Sequence, residues 1–337
     1  MKRGLREVLR DVDFAAPADQ ITVLFGPSGV GKTTCLRLIA GFEYPSAGEV
    51  ILGGEIVSSP SRPAPPRNRR VGFCFQEDAL WPALKARDHI QLPLRTLLGN
   101  REDIRRRSEW ILENLGLASC ADRYPAQLSG GEKKRLGLAR ALALEPAYLL
   151  LDEPLSSVEG PMRDELIRLL RGCRKGRRAI LMVTHQLDEA LALADRLVVL
   201  LDGHVAREGL IQEVIRDPRD RDAARLLGYR NFFTVRVENG TLLSPFGRWP
   251  AGAAADRSLT EGDEKIAAAF PGDFQARPDD QGRAVIQDCR TDSRACRVQA
   301  LQDGVGYEAT AATYIESGRR AALRCIHPPA ILEDPPV

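Results

Sequence analysis

Residues 26–34 read Gly26-Pro27-Ser28-Gly29-Val30-Gly31-Lys32-Thr33-Thr34 and fit Gly-x-x-x-x-Gly-Lys-[Ser/Thr]. The apolar run Ile21-Thr22-Val23-Leu24-Phe25 precedes them and a helical pattern from Cys35 to Ala40 follows, so the stretch must join a strand to a helix. Glycines at 26, 29 and 31 let backbone amides turn inward with no Cβ in the way, and the helix behind them points its positive end at the same anion. This is a phosphate-binding loop. In such a loop Lys32 would supply a point charge to the β- and γ-phosphates and the Thr33 hydroxyl would ligate Mg²⁺, with Thr34 a neighbour.

The rest of the chain fits the α/β core that such a loop demands. Val71-Gly72-Phe73-Cys74-Phe75, Tyr148-Leu149-Leu150-Leu151-Asp152, Ala179-Ile180-Leu181-Met182-Val183 and residues 196–201 are short apolar runs, the pattern of strands buried on both faces. Helical stretches at 161–173, with Pro161 suited to a first turn, and at 188–194 alternate with them. The alternation predicts a P-loop core with a mostly parallel sheet. Residues 8–14 alternate like a short strand, and Gly53-Gly54 between residues 49–52 and 55–57 signals a hairpin. Residues 78–145 are helix-rich, with helices expected over 104–115 and 132–144. Past Leu227-Gly228 the pattern changes to short alternating strands such as 233–237 and 296–300, so residues 231–337 form a small all-β domain after a first domain at 1–230.

Composition narrows the partners. The 48 basic and 46 acidic side chains nearly cancel, which leaves no field for a nucleic-acid backbone. Arg67-Asn68-Arg69-Arg70 and Arg105-Arg106-Arg107 sit beside turn or helix signals and read as solvated faces. Seven scattered cysteines without a Cys-x-x-Cys pair suit a reducing compartment rather than a disulfide framework or a zinc site. No apolar run approaches the roughly 20 residues that span a bilayer, and Met1-Lys2-Arg3 leads into no signal-type apolar segment. The chain is expected to be soluble or peripheral.

Further motifs carry chemistry. Leu149-Leu150-Leu151-Asp152-Glu153-Pro154 ends a buried strand in two carboxylates. Asp152 would then lie where Mg²⁺ is held, and Glu153 within reach of the attacking water as general base. Leu128-Ser129-Gly130-Gly131-Glu132 opens a helix with exposed amides, a second anion site. Taken together with the phosphate loop, these residues resemble the ATP-binding-cassette ATPases, over roughly residues 5–230. On that resemblance Gln76 matches the glutamine loop, which senses Mg²⁺ and the γ-phosphate and hinges the helical subdomain. Val183-Thr184-His185 matches the switch histidine. The resemblance also implies a head-to-tail dimer sandwiching two ATP molecules, each between residues 26–34 of one subunit and Ser129, Gly130, Gly131 and Glu132 of the other.

Two departures stand out. Ser156-Ser157-Val158-Glu159 replaces the family's usual Ser-Ala-Leu-Asp. No aromatic residue among residues 1–13 is available to stack on adenine, and Phe14 lies close to the phosphate loop. The C-terminal strands, opened by Gly228-Tyr229-Arg230-Asn231-Phe232-Phe233, resemble the oligonucleotide/oligosaccharide-fold (TOBE-like) appendage of ATPase subunits from bacterial solute importers, with Phe270-Pro271-Gly272-Asp273 in place of its Arg-Pro-Glu segment. That implies ATP-driven import through membrane permease subunits at the cytoplasmic face of the inner membrane, served indirectly by a solute-binding protein. An inorganic ion such as molybdate, sulfate or ferric ion is favoured over a sugar or polyamine. The appendage would either only extend the dimer interface or also bind a regulator or the transported ion. Ala79-Leu80-Trp81-Pro82 fits either a groove for a permease helix or the core of the helical subdomain. The competing class, a soluble cassette of DNA repair or translation, lacks its marks here: there is neither a long coiled coil nor a second cassette.

Overall fold

The computed structural model describes residues 2–3, 6–61, 64–77, 79–156, 158, 160–174, 178–253, 259–260, 262–291 and 296–333. The chain divides into two compact units, Met1–Ile211 and Gln212–Val337. That division falls ahead of the 230/231 boundary expected from the sequence. Two short helices, Ile211–Arg216 and Arg221–Leu226, account for the difference. The Tyr229 hydroxyl donates to the Ile215 carbonyl at 2.6 Å, its ring stacks on Phe270, and Arg221 and Arg225 lie over the Phe232 ring. Residues 212–230 therefore pack with the β unit.

The first unit is built on a six-stranded sheet in the spatial order His204–Leu210, Arg196–Leu201, Ile21–Phe25, Ala179–Thr184, Tyr148–Asp152, Val71–Cys74. All neighbours are parallel except the first pair. Every residue of Ile21–Phe25 and of Ala179–Thr184 is buried, which is why these strands read as unbroken apolar runs. Helix α1, Lys32–Ala40, closes on Gly41, whose φ of 85° is open to glycine alone at little cost. The buried Arg69 guanidinium donates to the Leu38 and Ile39 carbonyls at that helix end. The hairpin Val50–Leu52 with Glu55–Ser58 forms across Gly53 and Gly54, both at positive φ. Residues 8–14 contain no strand: Asp11 takes a φ of 43° and breaks the extended run, while Leu9 packs into the core beneath the sheet.

Helices α2 (Ala86–Leu94), α3 (Arg101–Asn114) and α4 (Gly130–Leu142) share a core of their own, with Ile90, Leu94, Leu117 and Leu136 wholly buried. The second unit carries a five-stranded antiparallel sheet and a closed barrel of the strands Phe274–Pro278, Val305–Ala311, Cys296–Gln302, Ala284–Thr291 and Arg320–Cys325. Its centre is aromatic: Phe274 is fully buried against Phe233, Phe246 and Tyr307. Closing the barrel removes the sheet edges that a short antiparallel sheet would otherwise expose.

Candidate functional site

Four parallel strands deliver their carboxyl ends to one edge of the sheet. Ile21–Phe25 opens into residues 26–31, Val71–Cys74 runs toward Gln76, Tyr148–Asp152 ends at Asp152 and Glu153, and Ala179–Thr184 ends at His185. Open α/β sheets bind ligands at this edge, because the loops there converge while the helices cover the faces.

The loop geometry accounts for its glycines. Gly29 and Gly31 hold φ of 81° and 112°. A Cβ on Gly26 would lie 2.3 Å from the Leu200 carbonyl oxygen, against rigid backbone. Lys32 is buried, and its ammonium donates to the carbonyls of Gly26 (2.8 Å) and Pro27 (2.9 Å), folding the loop around it. Burial holds Lys32 below its usual pKa, against the opposing pull of Glu153 and Asp152. Thr33 Oγ1 donates to Asp152 Oδ1 at 3.0 Å. Burial pushes the Asp152 carboxyl up, with the Thr33 hydrogen bond acting the other way.

Glu153 is the meeting point of the remaining residues. Gln76 Nε2 donates to its Oε2 at 3.1 Å, and His185 Nδ1 lies 3.0 Å from its Oε1. A carboxylate accepts only, so this ring nitrogen carries the proton. The backbone of Glu153 has a φ of 46°, a left-handed conformation that costs a non-glycine residue on the order of 1 kcal/mol. Its amide, bonded to the Val183 carbonyl of the next strand at 3.1 Å, holds it there. Strain over-determined in this way aims the carboxylate along the sheet edge instead of out to solvent.

The phosphate loop, Gln76 and Glu153 border a cavity of about 1100 Å³ lined by Pro27, Ser28, Gly29, Val30, Gly31, Lys32, Thr33, Thr34, Gln76 and Glu153; Gly26, Asp152 and His185 stand behind this lining. Val8, Arg10, Asp202 and Gly203 form its remaining wall, which the sequence motifs do not reveal. Asp202-Gly203 is legible in the sequence only as a turn; it reaches the cavity because Arg196–Leu201 pairs beside Ile21–Phe25. The Arg10 amide donates to the Gly203 carbonyl at 2.7 Å, and a Cβ on Gly203 would meet the Val8 carbonyl oxygen at 2.5 Å. Among the described residues lining the cavity none is aromatic.

Ser129, Gly130, Gly131 and Glu132 do not line this cavity. They open α4 as a capping box: Ser129 Oγ accepts from the Glu132 amide at 3.2 Å and Glu132 accepts from the Ser129 amide at 2.7 Å. Those backbone bonds hold the Glu132 carboxyl low. Helix α4 also reaches back toward Gln76, whose carbonyl accepts from the Lys134 ammonium. Of the departures from the family pattern, Ser157 and Glu159 lie outside the described residues.

The family model described as ABC transporter matches residues 9–156. The sulfate/thiosulfate import ATP-binding protein CysA of Escherichia coli (strain K12) is 40% identical over 255 residues, covering 74% of this chain and 68% of that protein. CysA of Salmonella typhi is likewise 40% identical over 255 residues, with 74% and 69% covered. Among solved structures, the dimeric post-hydrolysis state of the ATP-binding cassette MJ0796 bound to ADP and Pi aligns with a TM-score of 0.56 at 29% identity, covering 63% of this chain and 94% of that one. With its phosphate loop and Glu153 meeting at one sheet edge, and with relatives 40% identical over more than two thirds of their length, the chain belongs to the ABC transporter family, among its ATP-hydrolysing cassettes.

Proposed function

We propose that this chain is the ATP-hydrolysing subunit of an importer for a small inorganic oxyanion such as sulfate. It works as a head-to-tail pair on the cytoplasmic face of the inner membrane, bound to permease subunits that a solute-binding protein supplies. The observation that carries the reading is the convergence of Gln76 and His185 on Glu153 at the rim of the phosphate loop. The solute follows from the likeness to sulfate/thiosulfate import proteins. Among the described residues no helix is long and apolar enough to cross a membrane, so passage of the solute is left to the permease.

In this reading ATP enters the cavity with its phosphates against the amides of residues 26–34. Lys32, now bonded to the Gly26 and Pro27 carbonyls, turns to the β- and γ-phosphate oxygens. The Thr33 hydroxyl and the Asp152 carboxylate, 3.0 Å apart, are hard oxygen donors suited to Mg²⁺, with Gln76 as a further oxygen ligand. When bound, the ion neutralises charge on the phosphates. Glu153 accepts a proton from the attacking water, while Gln76 and His185 fix the direction of its carboxylate. His185, through its Nδ1 at 3.0 Å from Glu153, helps hold that carboxylate and the attacking water beside the γ-phosphate.

Because Ser129, Gly130, Gly131 and Glu132 stand apart from the cavity of their own chain, they are assigned to the nucleotide of the partner subunit. Closure of the pair on ATP turns the permease outward and hydrolysis resets it. Residues 231–337 are assigned to a regulatory or dimer-extending role and residues 1–230 to ATP turnover. The test is uptake of radiolabelled sulfate by cells whose only copy of this chain is wild type or Glu153→Gln. Loss of uptake in the variant is expected. Equal uptake in both, or a deletion strain with undiminished sulfate uptake and impaired uptake of another solute, would overturn the sulfate assignment.

A further inference from the structure

His89 lies on α2 with no exposed surface, and no part of the mechanism above uses it. Its Nε2 is 2.9 Å from the backbone nitrogen of Trp81, and its Nδ1 is 2.9 Å from the Lys85 carbonyl oxygen. A peptide N–H only donates and a carbonyl only accepts. The ring is therefore neutral, with its proton on Nδ1 and a bare Nε2. The Trp81 indole lies over the imidazole, with ring centroids 5.8 Å apart and planes 23° from parallel. The Arg140 guanidinium, from α4, sits 5.6 Å from the centroid of the same indole and donates to the Ala79 carbonyl at 2.6 Å. The Trp81 carbonyl accepts from the Leu84 amide at 3.1 Å and closes the turn that enters α2. Trp81 keeps 49% of its surface exposed.

We propose that His89 is a positioning residue whose neutral ring holds the turn at residues 81–84, and with it the half-exposed Trp81 indole, in the conformation that a permease segment engages. A second proton on the ring places an N–H against the Trp81 N–H and a cation near Arg140, so the turn lets go and coupling to the permease weakens in acid. The proposal rests on the reading above that this chain is bound to permease subunits, and it takes the exposed side of Trp81 as part of the surface they meet. The groups facing the ring work in both directions. Burial holds its pKa below the usual histidine value; the Lys85 carbonyl pulls it up, Arg140 pushes it down and Asp88 pulls it up. Lys85 itself is engaged with Asp122 at 3.3 Å. A histidine that only filled core volume would impose no proton dependence on Trp81.

The experiment uses the full chain with ¹⁵N-labelled histidine and tryptophan, titrated from about pH 7.5 to about pH 5, with His89→Gln as the comparison. Glutamine offers an oxygen to the Trp81 amide and cannot titrate. In the wild type the ring signal lost in His89→Gln should show the Nδ1–H tautomer at neutral pH. The Trp81 amide should shift with the same midpoint as that ring, below 6.5, and should not shift in the variant. Stimulation of ATPase activity by the reconstituted permease should fall severalfold as that ring takes up its second proton in wild type and stay level for His89→Gln, while permease-free ATPase activity is the same in both. An Nε2–H tautomer, or a Trp81 amide that ignores the ring titration, overturns the role of His89. Failure of the permease to bind at any pH, with Trp81 following the ring, overturns the docking reading and the coupling claim that depends on it.

Discussion

Replacing Glu153 by glutamine separates binding from chemistry at this site. The carboxylate takes one hydrogen bond on each oxygen, from Gln76 Nε2 at 3.1 Å and from His185 at 3.0 Å. A glutamine amide has one oxygen, so it satisfies one of these donors and turns an NH₂ group toward the other. It also cannot take a proton from water. General-base catalysis is worth about 10²- to 10⁴-fold, or roughly 2.7–5.5 kcal/mol of barrier, and the turnover rate should fall by that factor. Nucleotide affinity should be retained, because the Lys32 bonds to the Gly26 and Pro27 carbonyls and the Thr33 bond to Asp152 do not involve Glu153. ATP that is bound and not hydrolysed should trap the closed pair, visible as a stable dimer in gel filtration with Mg²⁺-ATP. Phosphate release per bound nucleotide, with affinity measured on the same preparation, is the assay. A rate within about threefold of wild type at full nucleotide occupancy would remove Glu153 as the base. Loss of binding together with rate would mean that the Glu153 carboxylate, through Gln76 and His185, also shapes the nucleotide site.

Other consequences are independent of that one. Mixing a Lys32→Ala subunit with a Ser129→Arg subunit should restore one composite site and part of the ATPase activity that each variant lacks alone; no recovery from two folded proteins would contradict the head-to-tail pairing. Asp152 has a raised pKa in the fold, so the folded state binds more protons than the unfolded state above the ordinary value of about 3.8 and its ionised form costs stability at neutral pH. Nucleotide-free Asp152→Asn should therefore melt higher than wild type near pH 7. The gap should narrow as pH falls through the raised value; a gap that widens would reverse the assigned shift. Gly203→Ala places a Cβ 2.5 Å from the Val8 carbonyl at a φ of 81° and should lower stability by about 1–3 kcal/mol and weaken nucleotide binding, with hydrolysis of bound nucleotide intact. Unchanged affinity in a thermal-shift titration would exclude that wall from the site.

Much of the first unit is legible in the sequence because its information is local. A glycine pattern between an apolar run and a helix can be placed without knowing the rest, and an apolar strand that ends in Asp152 and Glu153 names its own terminus. The hairpin at Gly53 and Gly54 is written in the same way. What escapes is decided by packing across distant segments. Residues 8–14 alternate like a strand, yet Leu9 and the left-handed Asp11 turn the chain into the cavity wall, against a turn at Asp202 and Gly203 that is far away in sequence. The helices at 211–216 and 221–226 go unread in the sequence, and so does the body they pack on; Tyr229, reaching both Ile215 and Phe270, decides that. His89 is a lone histidine in an unremarkable helix until its two nitrogens are seen to be committed to Trp81 and Lys85. That a helix opens at Ser129 is plain from the sequence, and the structure adds its capping box. That it stands off from the phosphate loop of its own chain is a property of the folded unit alone.

The central claim is that ATP turnover in this chain powers a permease. Tagged Glu153→Gln protein, purified with Mg²⁺-ATP from detergent-solubilised membranes and examined by mass spectrometry, tests it most directly. A polytopic membrane protein in near-equal amount is the predicted result, and its identity would report the solute. Recovery of the trapped pair with soluble partners or ribosomes alone would contradict the transport role.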